Sequence, residues 1–470
     1  MTTRAWAATI GGLTIVAAAL RVVRLDAGLW YDEIVTLVEF VRPSLPHIVS
    51  AFPDTNNHPL YSVLAHLSIA VCGEHAWSLR VPAVLFGVAS VPMLFALGKE
   101  VTTPVEATSA SALLAVSYHG VWFSQNARGY TALLFWSLLA TWILIRLQRI
   151  PSPALAIAYG AVAALGIYTH LTMAFVIAAH ALLCAWWQVG RKPAQGPPLS
   201  CLVLAFGVSA ALSVALYAPM LGQVWHVAGE PRQAATSVAT PMWAVAQVLK
   251  GLRVGFGTIG VLAAAVLALV GAVSYGRGNR AATLLFVAPG AVTLAGVLLT
   301  HAPIRPRFFF FLLGFALLLL VRGAIEAGAF VGRRRQQAPF GQGLGLAAVA
   351  VIALLSLSSV PYAYAHPKQD FEGALEFLRR HRTESERVAT AGLASYPYTR
   401  YYQLPWSPVE TREQLDGLRS HGQRVWVVYS FPEYMDPGLL DSVHHDCAPQ
   451  RVLPGTLDGG DVIVCSMEGR

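Results

Sequence analysis

The sequence predicts a polytopic α-helical membrane protein with a small C-terminal α/β domain, and three observations support this fold class. Of the 470 residues, 55% are hydrophobic and only 12% are charged, whereas soluble proteins carry about 25% charged residues. Uncharged stretches of about 20 residues, the length that crosses a bilayer, recur before residue 362. Beyond that position the composition becomes that of a soluble domain.

The charge balance indicates which partners to expect. Lysine and arginine exceed aspartate and glutamate by 33 − 25 = +8. In a soluble protein this excess would suggest a nucleic-acid partner. Between uncharged helices it indicates basic loops that face anionic lipid headgroups. We therefore expect membrane lipids as partners and no nucleic acid.

The gaps between charged residues predict about eleven transmembrane helices. They are expected at 5–24, 79–98, 106–125, 130–147, 153–170, 171–189, 200–219, 255–275, 281–300, 305–322 and 343–361. A cleaved signal peptide is the alternative for the first helix. Arg21 and Arg24 follow the uncharged stretch at 5–20, and no small-residue cleavage pattern is present, which favours a retained span.

The loop charges predict the orientation. Alternating loops place Lys99, Arg146, Arg277 and Arg322 on the same side as the N-terminus, and the positive-inside rule assigns that side to the cytoplasm. Cations also occur on the opposite side, so the inverted arrangement stays an alternative. We expect a multi-pass plasma-membrane protein with a cytoplasmic N-terminus and an extracytoplasmic C-terminal domain.

Two domains are expected. Residues 1–361 form the transmembrane domain, which includes a first extracytoplasmic loop at 25–78, and residues 362–470 form the soluble domain. Within the loop, the apolar segment 60–71 predicts a helix along the membrane surface.

The C-terminal tail, residues 362–470, alternates helix-like and strand-like segments, which predicts an α/β domain. The helices are expected at 370–380 and 411–419, and the strands at 387–391, 424–430 and 461–465. Cys447 and Cys465 are the two cysteines of the tail. In an exported domain they could form a disulfide, a pairing that the sequence leaves open.

Asp32 and Glu33 form the most distinctive polar pair, a few residues after the first helix. Adjacent carboxylates beside a membrane span are costly when buried, so they suggest a functional site. One could accept a proton from a hydroxyl group while the other orients a partner. The structural alternative is a helix that begins at Asp32, whose side chain caps its N-terminus.

Further polar residues follow the spans on the same predicted side. His58 precedes Pro59 at a helix start, Arg128 and Tyr130 lie between the third and fourth spans, and His170 ends the fifth. Arginine can bind phosphate oxygens through two parallel hydrogen bonds. Ordinary capped loops and interfacial side chains are the structural alternatives for each of these residues.

Three more arginines complete the candidate set. Arg80 opens the second span and could neutralise the acid pair. Arg305 and Arg307 begin the tenth span, where cations oppose the helix dipole unless an anion lies nearby. Together, these clusters predict a cavity at the outer leaflet. The sequence contains no metal-binding spacing, although the carboxylate pair leaves a divalent cation open as a cofactor.

These motifs resemble the C-type superfamily of membrane glycosyltransferases, and especially bacterial proteins similar to dolichyl-phosphate-mannose protein mannosyltransferases. The resemblance lies in Trp30-Tyr31-Asp32-Glu33, His58-Pro59-Leu60-Tyr61, Leu79-Arg80-Val81-Pro82, Ala127-Arg128-Gly129-Tyr130 and Tyr168-Thr169-His170. Arg305-Pro306-Arg307-Phe308 resembles an Arg-Tyr motif of that group, with phenylalanine in place of tyrosine. Pro367-Lys368-Gln369-Asp370-Phe371 resembles the start of its soluble tail.

The resemblance implies an enzyme that moves a sugar, mannose or another hexose or pentose, from a polyprenyl-phosphate donor to a hydroxyl group of a protein, lipid or glycan. Asp32 would be the general base of an inverting displacement, and Glu33 would orient Asp32 or Arg80, or bind the acceptor. Arg128, Arg305 and Arg307 would stabilise the leaving phosphate, with His58 as a further contact. A transporter or flippase of a lipid-linked anion is the alternative. It predicts polar residues at mid-membrane and an internal repeat.

Overall fold

The computed structural model describes residues 2–54, 56–189, 197–229, 246, 249–251, 253, 257–299, 305–420, 422–457 and 459–469. These residues form two compact units. The first lies within Met1–Val23, Leu45–Ser68 and Arg80–Pro361, and the second within Arg24–Ser44, Ile69–Leu79 and Tyr362–Arg470.

Helices dominate the described chain. In order they are α1 (Thr3–Val22), α2 (Tyr31–Val35), α3 (Leu45–Ile48), α4 (Pro59–Cys72), α5 (Ala76–Val101), α6 (Pro104–Val116), α7 (Tyr118–Ser124), α8 (Tyr130–Arg149), α9 (Pro153–Thr169), α10 (Met173–Val189), α11 (Leu199–Tyr217), α12 (Leu221–Gly229), α13 (Gly257–Gly278), α14 (Arg280–Leu299), α15 (Leu313–Arg334), α16 (Ala338–Ala365), α17 (Phe371–His381), α18 (Arg412–Arg419) and α19 (Pro437–Asp446). Short π-helical segments cover Thr36–Val41 and Pro397–Tyr401, and 3₁₀ segments cover Ala218–Met220, Pro306–Leu312 and Pro432–Tyr434.

The fold class predicted from the sequence is confirmed. Among the described residues, eight helical segments have the length and apolar composition to cross a membrane. Four shorter apolar helices accompany them: α4, α6, α9 and α10. The total of about eleven spans stays a prediction.

The predicted helix at 106–125 is interrupted. It divides at Ser117, which has an extended backbone with φ −62° and ψ 123°. The Ser117 hydroxyl accepts a hydrogen bond from Gly120 N at 3.1 Å and so caps α7. A side-chain cap of this kind leaves no proline or glycine signal at the break.

The predicted helix at 305–322 extends to Arg334, and Arg322 lies inside it rather than in a loop. Arg322 bonds Glu106 at 3.0 Å and Glu326 at 2.8 Å, and its Nε donates to Ser274 at 2.9 Å. Because two carboxylates compensate the guanidinium, the helix continues through a position that carries a charge.

Large apolar side chains fill the core of the first unit. Val91 and Leu94 of α5, Leu138 of α8, and Phe315 and Leu318 of α15 are all buried in one hydrophobic cluster. Arg128, Tyr130 and His170, considered below, lie at or next to the ends of α8 and α9, and both helices contribute to this core.

A five-stranded sheet forms the centre of the second unit, in the order β2-β1-β3-β5-β4. The strands are β1 (Arg387–Gly392), β2 (Ser407–Pro408), β3 (Val425–Ser430), β4 (Ala448–Leu453) and β5 (Val462–Met467). β1 runs parallel to β2 and β3, with Gly392 opposite Ser430. β5 is antiparallel to both β3 and β4.

The tail contains all five predicted helices and strands, and the structure adds α19, β2 and β4. β4 is an edge strand whose first five residues are exposed, so it lacks the alternation that identifies a strand in a sequence. Cys447 and Cys465, whose pairing the sequence left open, are joined by a disulfide.

Part of the predicted first loop packs with the tail. Residues 24–44 and 69–79 belong to the second unit together with 362–470. The division into a transmembrane domain at 1–361 and a soluble domain at 362–470 stays a prediction. The predicted interfacial helix at 60–71 corresponds to α4.

Candidate functional site

Three separate chain segments of the first unit bring four predicted site residues together. His58 precedes α4, Arg128 and Tyr130 flank the start of α8, and His170 follows α9. Each is at most 8% exposed. The rings of His58 and His170 lie 4.6 Å apart between centroids, and each lies 5.4 Å from the Tyr130 ring. The sequence clusters therefore form one buried group.

Arg128 provides the charge of this group. Its Nη2 donates to Asn56 Oδ1, lies 3.4 Å from His58 Nε2, and its guanidinium carbon lies 6.0 Å from the Tyr130 ring centroid. The Asn56 contact and the Tyr130 ring restrict the orientation of the guanidinium. Arg128 is therefore an anchored cation, in contrast to a snorkelling interfacial side chain.

Backbone hydrogen bonds determine which histidine nitrogens carry hydrogen. His58 Nδ1 accepts from Gly129 N at 2.8 Å, and His170 Nδ1 accepts from Thr172 N at 3.2 Å. In a neutral imidazole the other nitrogen then carries the proton. His58 Nε2 thus presents a donor beside the Arg128 Nη2 donor. Because neither can accept from the other, both can bind an oxygen acceptor, such as an oxygen of an anion.

The surroundings of the group favour neutral histidines. Burial, followed by the charges of Arg128, His170 and Arg307, lowers the pKa of His58 well below its ordinary value. Burial, followed by Arg128 and Arg307, lowers the pKa of His170 to about 3. Two arginines therefore act on both rings.

The remaining predicted arginines have different positions. Arg305 and Arg307 are half-buried at the start of the 3₁₀ segment that precedes α15. The ring of Phe308, which stands in place of tyrosine in the motif that this segment resembles, lies 6.0 Å from that of His170 between centroids. Arg80 is buried in α5. The structure thus groups Arg307 electrostatically with the two histidines.

Arg21 was not predicted as a site residue, but it fixes the segment that leads to Arg128. It is fully buried, and its guanidinium donates to the carbonyl oxygens of Leu114 and Ala115 at 3.1 and 3.0 Å and to Ser124 Oγ at 3.0 Å. Gln125 Nε2 donates to the Arg21 carbonyl at 3.1 Å. The only sequence signal is an arginine in the last turn of a span, which also fits a snorkelling residue.

The acid pair lies in the second unit. Asp32 and Glu33 are 7% and 0% exposed and occupy the first turn of α2. Glu33 Oε2 accepts from Trp30 N at 3.4 Å, so Glu33 caps the helix. The structural alternative assigned that role to Asp32, but the N-cap position is Trp30. The Asp32 side chain therefore does not supply the N-cap.

Other expectations about the site stay predictions. These are the shared pocket of the acid pair and the arginines, and the roles of all nine candidate residues. Among the described residues, no three histidine, cysteine or acidic side chains are grouped to bind a metal ion. The sequence left a divalent cation open as a cofactor, and this question stays open.

Comparison with known proteins gives two sequence matches. A family model described as dolichyl-phosphate-mannose-protein mannosyltransferase matches residues 56–218. A putative mannosyltransferase YkcB of Bacillus subtilis (strain 168) is 27% identical over 165 residues, which are 35% of this chain and 23% of that protein. The chain thus spans about a quarter of the length of this curated relative. The segment that the family model matches contains five of the candidate site residues: His58, Arg80, Arg128, Tyr130 and His170.

Solved structures match over nearly the whole chain. ArnT from Cupriavidus metallidurans, bound to undecaprenyl phosphate, has a TM-score of 0.51 at 12% identity and covers 99% of this chain and 98% of its own. The Archaeoglobus fulgidus oligosaccharyltransferase, in complex with zinc and sulfate, has a TM-score of 0.55 at 10% identity and covers 94% and 71%. These matches show that this multi-pass membrane protein shares its fold with ArnT and with the archaeal oligosaccharyltransferase. Together with the family model and the Bacillus relative, they support the resemblance drawn from the motifs.

Proposed function

We propose that the protein is a membrane glycosyltransferase that moves a sugar from a polyprenyl-phosphate donor to an acceptor hydroxyl on the extracytoplasmic side. The observation that carries this proposal is the buried group of Arg128, His58 and His170. The charge of Arg307 also lowers the pKa of both histidines. The group combines charged and neutral hydrogen-bond donors near the ends of apolar helices. A lipid phosphate offers oxygen acceptors and a negative charge, which donors of this kind bind.

The comparisons support the same donor class. The ArnT structure is described as bound to undecaprenyl phosphate, and an archaeal oligosaccharyltransferase, AglB from Archaeoglobus fulgidus, as a complex with an inhibitory peptide and a dolichol-phosphate. Both ligands are polyprenyl-type phosphates. The matched family model and the Bacillus relative are both described as mannosyltransferases, so polyprenyl-phosphate mannose is the first donor to test.

The proposed reaction is a single displacement. Asp32 removes the proton of the acceptor hydroxyl as its oxygen attacks the anomeric carbon. The bond between that carbon and the phosphate oxygen breaks with inversion, and the lipid phosphate leaves with the electron pair. Arg128, Arg307 and the Nε2–H of His58 stabilise its growing charge. A phosphate leaves without protonation, so one base is sufficient.

The disulfide supports the proposed side of the membrane. Cys447 and Cys465 are bonded within the second unit, and disulfides persist in extracytoplasmic compartments. Asp32 and Glu33 belong to the same unit. An extracytoplasmic tail therefore brings the acid pair to the side where a translocated polyprenyl-phosphate sugar is exposed.

The test uses the purified protein in detergent with radiolabelled polyprenyl-phosphate mannose and candidate acceptors. We expect Asp32→Asn to lower kcat by about 10²–10⁴-fold, the usual contribution of a general base. Asp26→Asn is the matched control, because Asp26 is an exposed carboxylate of the same segment. Anomeric NMR of the product should show inversion.

Three outcomes would count against this function. Transfer retained by Asp32→Asn removes Asp32 as the base. Retention of anomeric configuration contradicts a single displacement. Donor binding without transfer, coupled to movement of the donor across a vesicle membrane, would favour the transporter alternative.

A further inference from the structure

The C-terminal segment of the second unit, which is the tail at residues 362–470, contacts the backbone of α2, the helix that carries Asp32 and Glu33. Tyr31 N, at the first position of α2, donates to Gln369 Oε1 at 3.0 Å. The amides of a first helical turn have no partner within the helix. Gln369 supplies that acceptor one residue before Asp32. Glu33 supplies the acceptor for the preceding amide, Trp30 N, at 3.4 Å.

Gln369 is itself fixed in position. It is 1% exposed, and its Nε2 donates at 2.9 Å to the hydroxyl of Ser430, which is fully buried at the end of β3. The next residue, Asp370, caps α17 by accepting from Gly373 N at 2.8 Å. The amide group of Gln369 thus links the end of a central strand to the first turn of α2.

Two further contacts bind the same segment to the tail. A Cβ atom at Gly28 would lie 3.0 Å from the carboxylate of Glu372, so the backbone passes close to that side chain. The rings of Tyr31 and Tyr396 lie 6.1 Å apart between centroids in an edge-on arrangement. The tail therefore contacts both the entry to α2 and its first turn.

The far end of the helix is bound as well. The Tyr396 hydroxyl donates to Glu39 Oε1, in the π-helical continuation of α2, and Arg400 lies 3.9 Å from the same oxygen. Burial, followed by the hydrogen bond to Glu39, raises the pKa of Tyr396 above its ordinary value. The hydroxyl thus remains a donor at physiological pH.

We propose that the C-terminal segment is a positioning element of the catalytic centre, in which Gln369 orients the acid-pair helix through Tyr31 N. This inference rests on the proposed function, since it assigns the tail a role in the reaction of Asp32. Anchoring the first turn of α2 restricts the orientation of the Asp32 carboxylate. Misplacement of a reacting group by about 1 Å can cost about 10²-fold in rate.

The test compares Gln369→Met, which removes the acceptor at similar size, with Gln369→Glu, which keeps one. We expect Gln369→Met to lower kcat about 10- to 100-fold with the KM for the donor changed less than threefold, and Gln369→Glu to restore most of kcat. Gln450→Met, at an exposed position of β4, should behave as wild type. Unchanged kcat in Gln369→Met, or equal losses in both Gln369 variants, would overturn the inference.

Hydrogen–deuterium exchange separates failure of this inference from failure of the proposed function. Amides 30–36 should exchange at least tenfold faster in Gln369→Met than in wild type, whatever reaction the protein catalyses. Unchanged exchange contradicts the positioning role. By contrast, full transfer by Asp32→Asn contradicts the proposed function even if the exchange result is as expected.

Discussion

Arg21→Met offers a sharp test of how the Arg128 segment is supported. The substitution keeps an unbranched apolar chain but removes the donors to the carbonyl oxygens of Leu114 and Ala115. These oxygens belong to the last turn of α6, where the helix ends and its own amides no longer satisfy them. A buried acceptor that loses its donor costs about 1–3 kcal/mol.

The net effect is smaller than the sum of the two losses. Leu114 O also accepts from Ser117 N at 3.4 Å, and the variant no longer has a buried guanidinium to desolvate. We therefore expect a net destabilisation of about 2 kcal/mol. Because Ser124 and Gln125 also contact Arg21, the segment leading to Arg128 should loosen and the affinity for polyprenyl phosphate should fall about tenfold.

Two measurements on purified protein in detergent check this prediction: thermal unfolding, and the equilibrium Kd for polyprenyl phosphate. Arg24→Met is the matched control, since Arg24 is exposed three residues later. Arg21→Met should unfold several degrees below both wild type and Arg24→Met. Identical unfolding temperatures and Kd values for the two variants would refute the assigned role of Arg21.

Three other predictions concern stability and packing. Lowered folded-state pKa values mean that neutral His58 and His170 stabilise the protein above the unfolded pKa of about 6.5. This stabilisation is lost as the pH falls, because the unfolded chain then binds protons that the folded chain does not. At pH 5 the free energy of unfolding in detergent should therefore be lower by about 2 kcal/mol per histidine. A free energy of unfolding that does not change with pH in this range would contradict the assignment. Gly129→Ala places a Cβ atom 3.0 Å from His58 Nδ1, so the His58 ring must move. A binding assay should show that the affinity for polyprenyl phosphate falls about tenfold. An affinity equal to that of wild type would show that binding tolerates displacement of the ring. Replacing both Cys447 and Cys465 by serine should lower the free energy of unfolding of the second unit by about 3 kcal/mol. Limited proteolysis measures this loss, and an unaltered cleavage rate would contradict the prediction.

The membrane fold was predictable because a bilayer imposes a strong constraint on sequence. Spanning helices need long uncharged segments, and such segments recur along the chain. Helix ends were less predictable. The break at Ser117 depends on a side-chain cap, and α15 continues past Arg322 because Glu106 and Glu326 neutralise it. Glu326 lies four residues after Arg322 in the same helix, but Glu106 is 216 residues away and was not identifiable from the sequence alone.

The site was predictable in part. His58, Arg128 and His170 were distinctive because each is a polar residue beside an apolar helix, and the structure groups them. The supporting residues were not, because their contacts connect distant parts of the chain. Arg21 contacts Ser124 across 103 residues, and Tyr31 contacts Gln369 across 338. A single sequence does not reveal such pairs.

The most direct test of the central claim is to compare the binding of polyprenyl phosphate with that of the matching polyprenol, which lacks the phosphate. We predict that wild type binds the phosphate at least tenfold more tightly, and that Arg128→Gln abolishes this preference. Arg146→Gln, which removes a partly exposed arginine paired with Glu100, should retain it. Equal affinity of wild type for the two lipids, or an undiminished preference in Arg128→Gln, would contradict the assignment of the buried arginine and histidine group to a lipid phosphate.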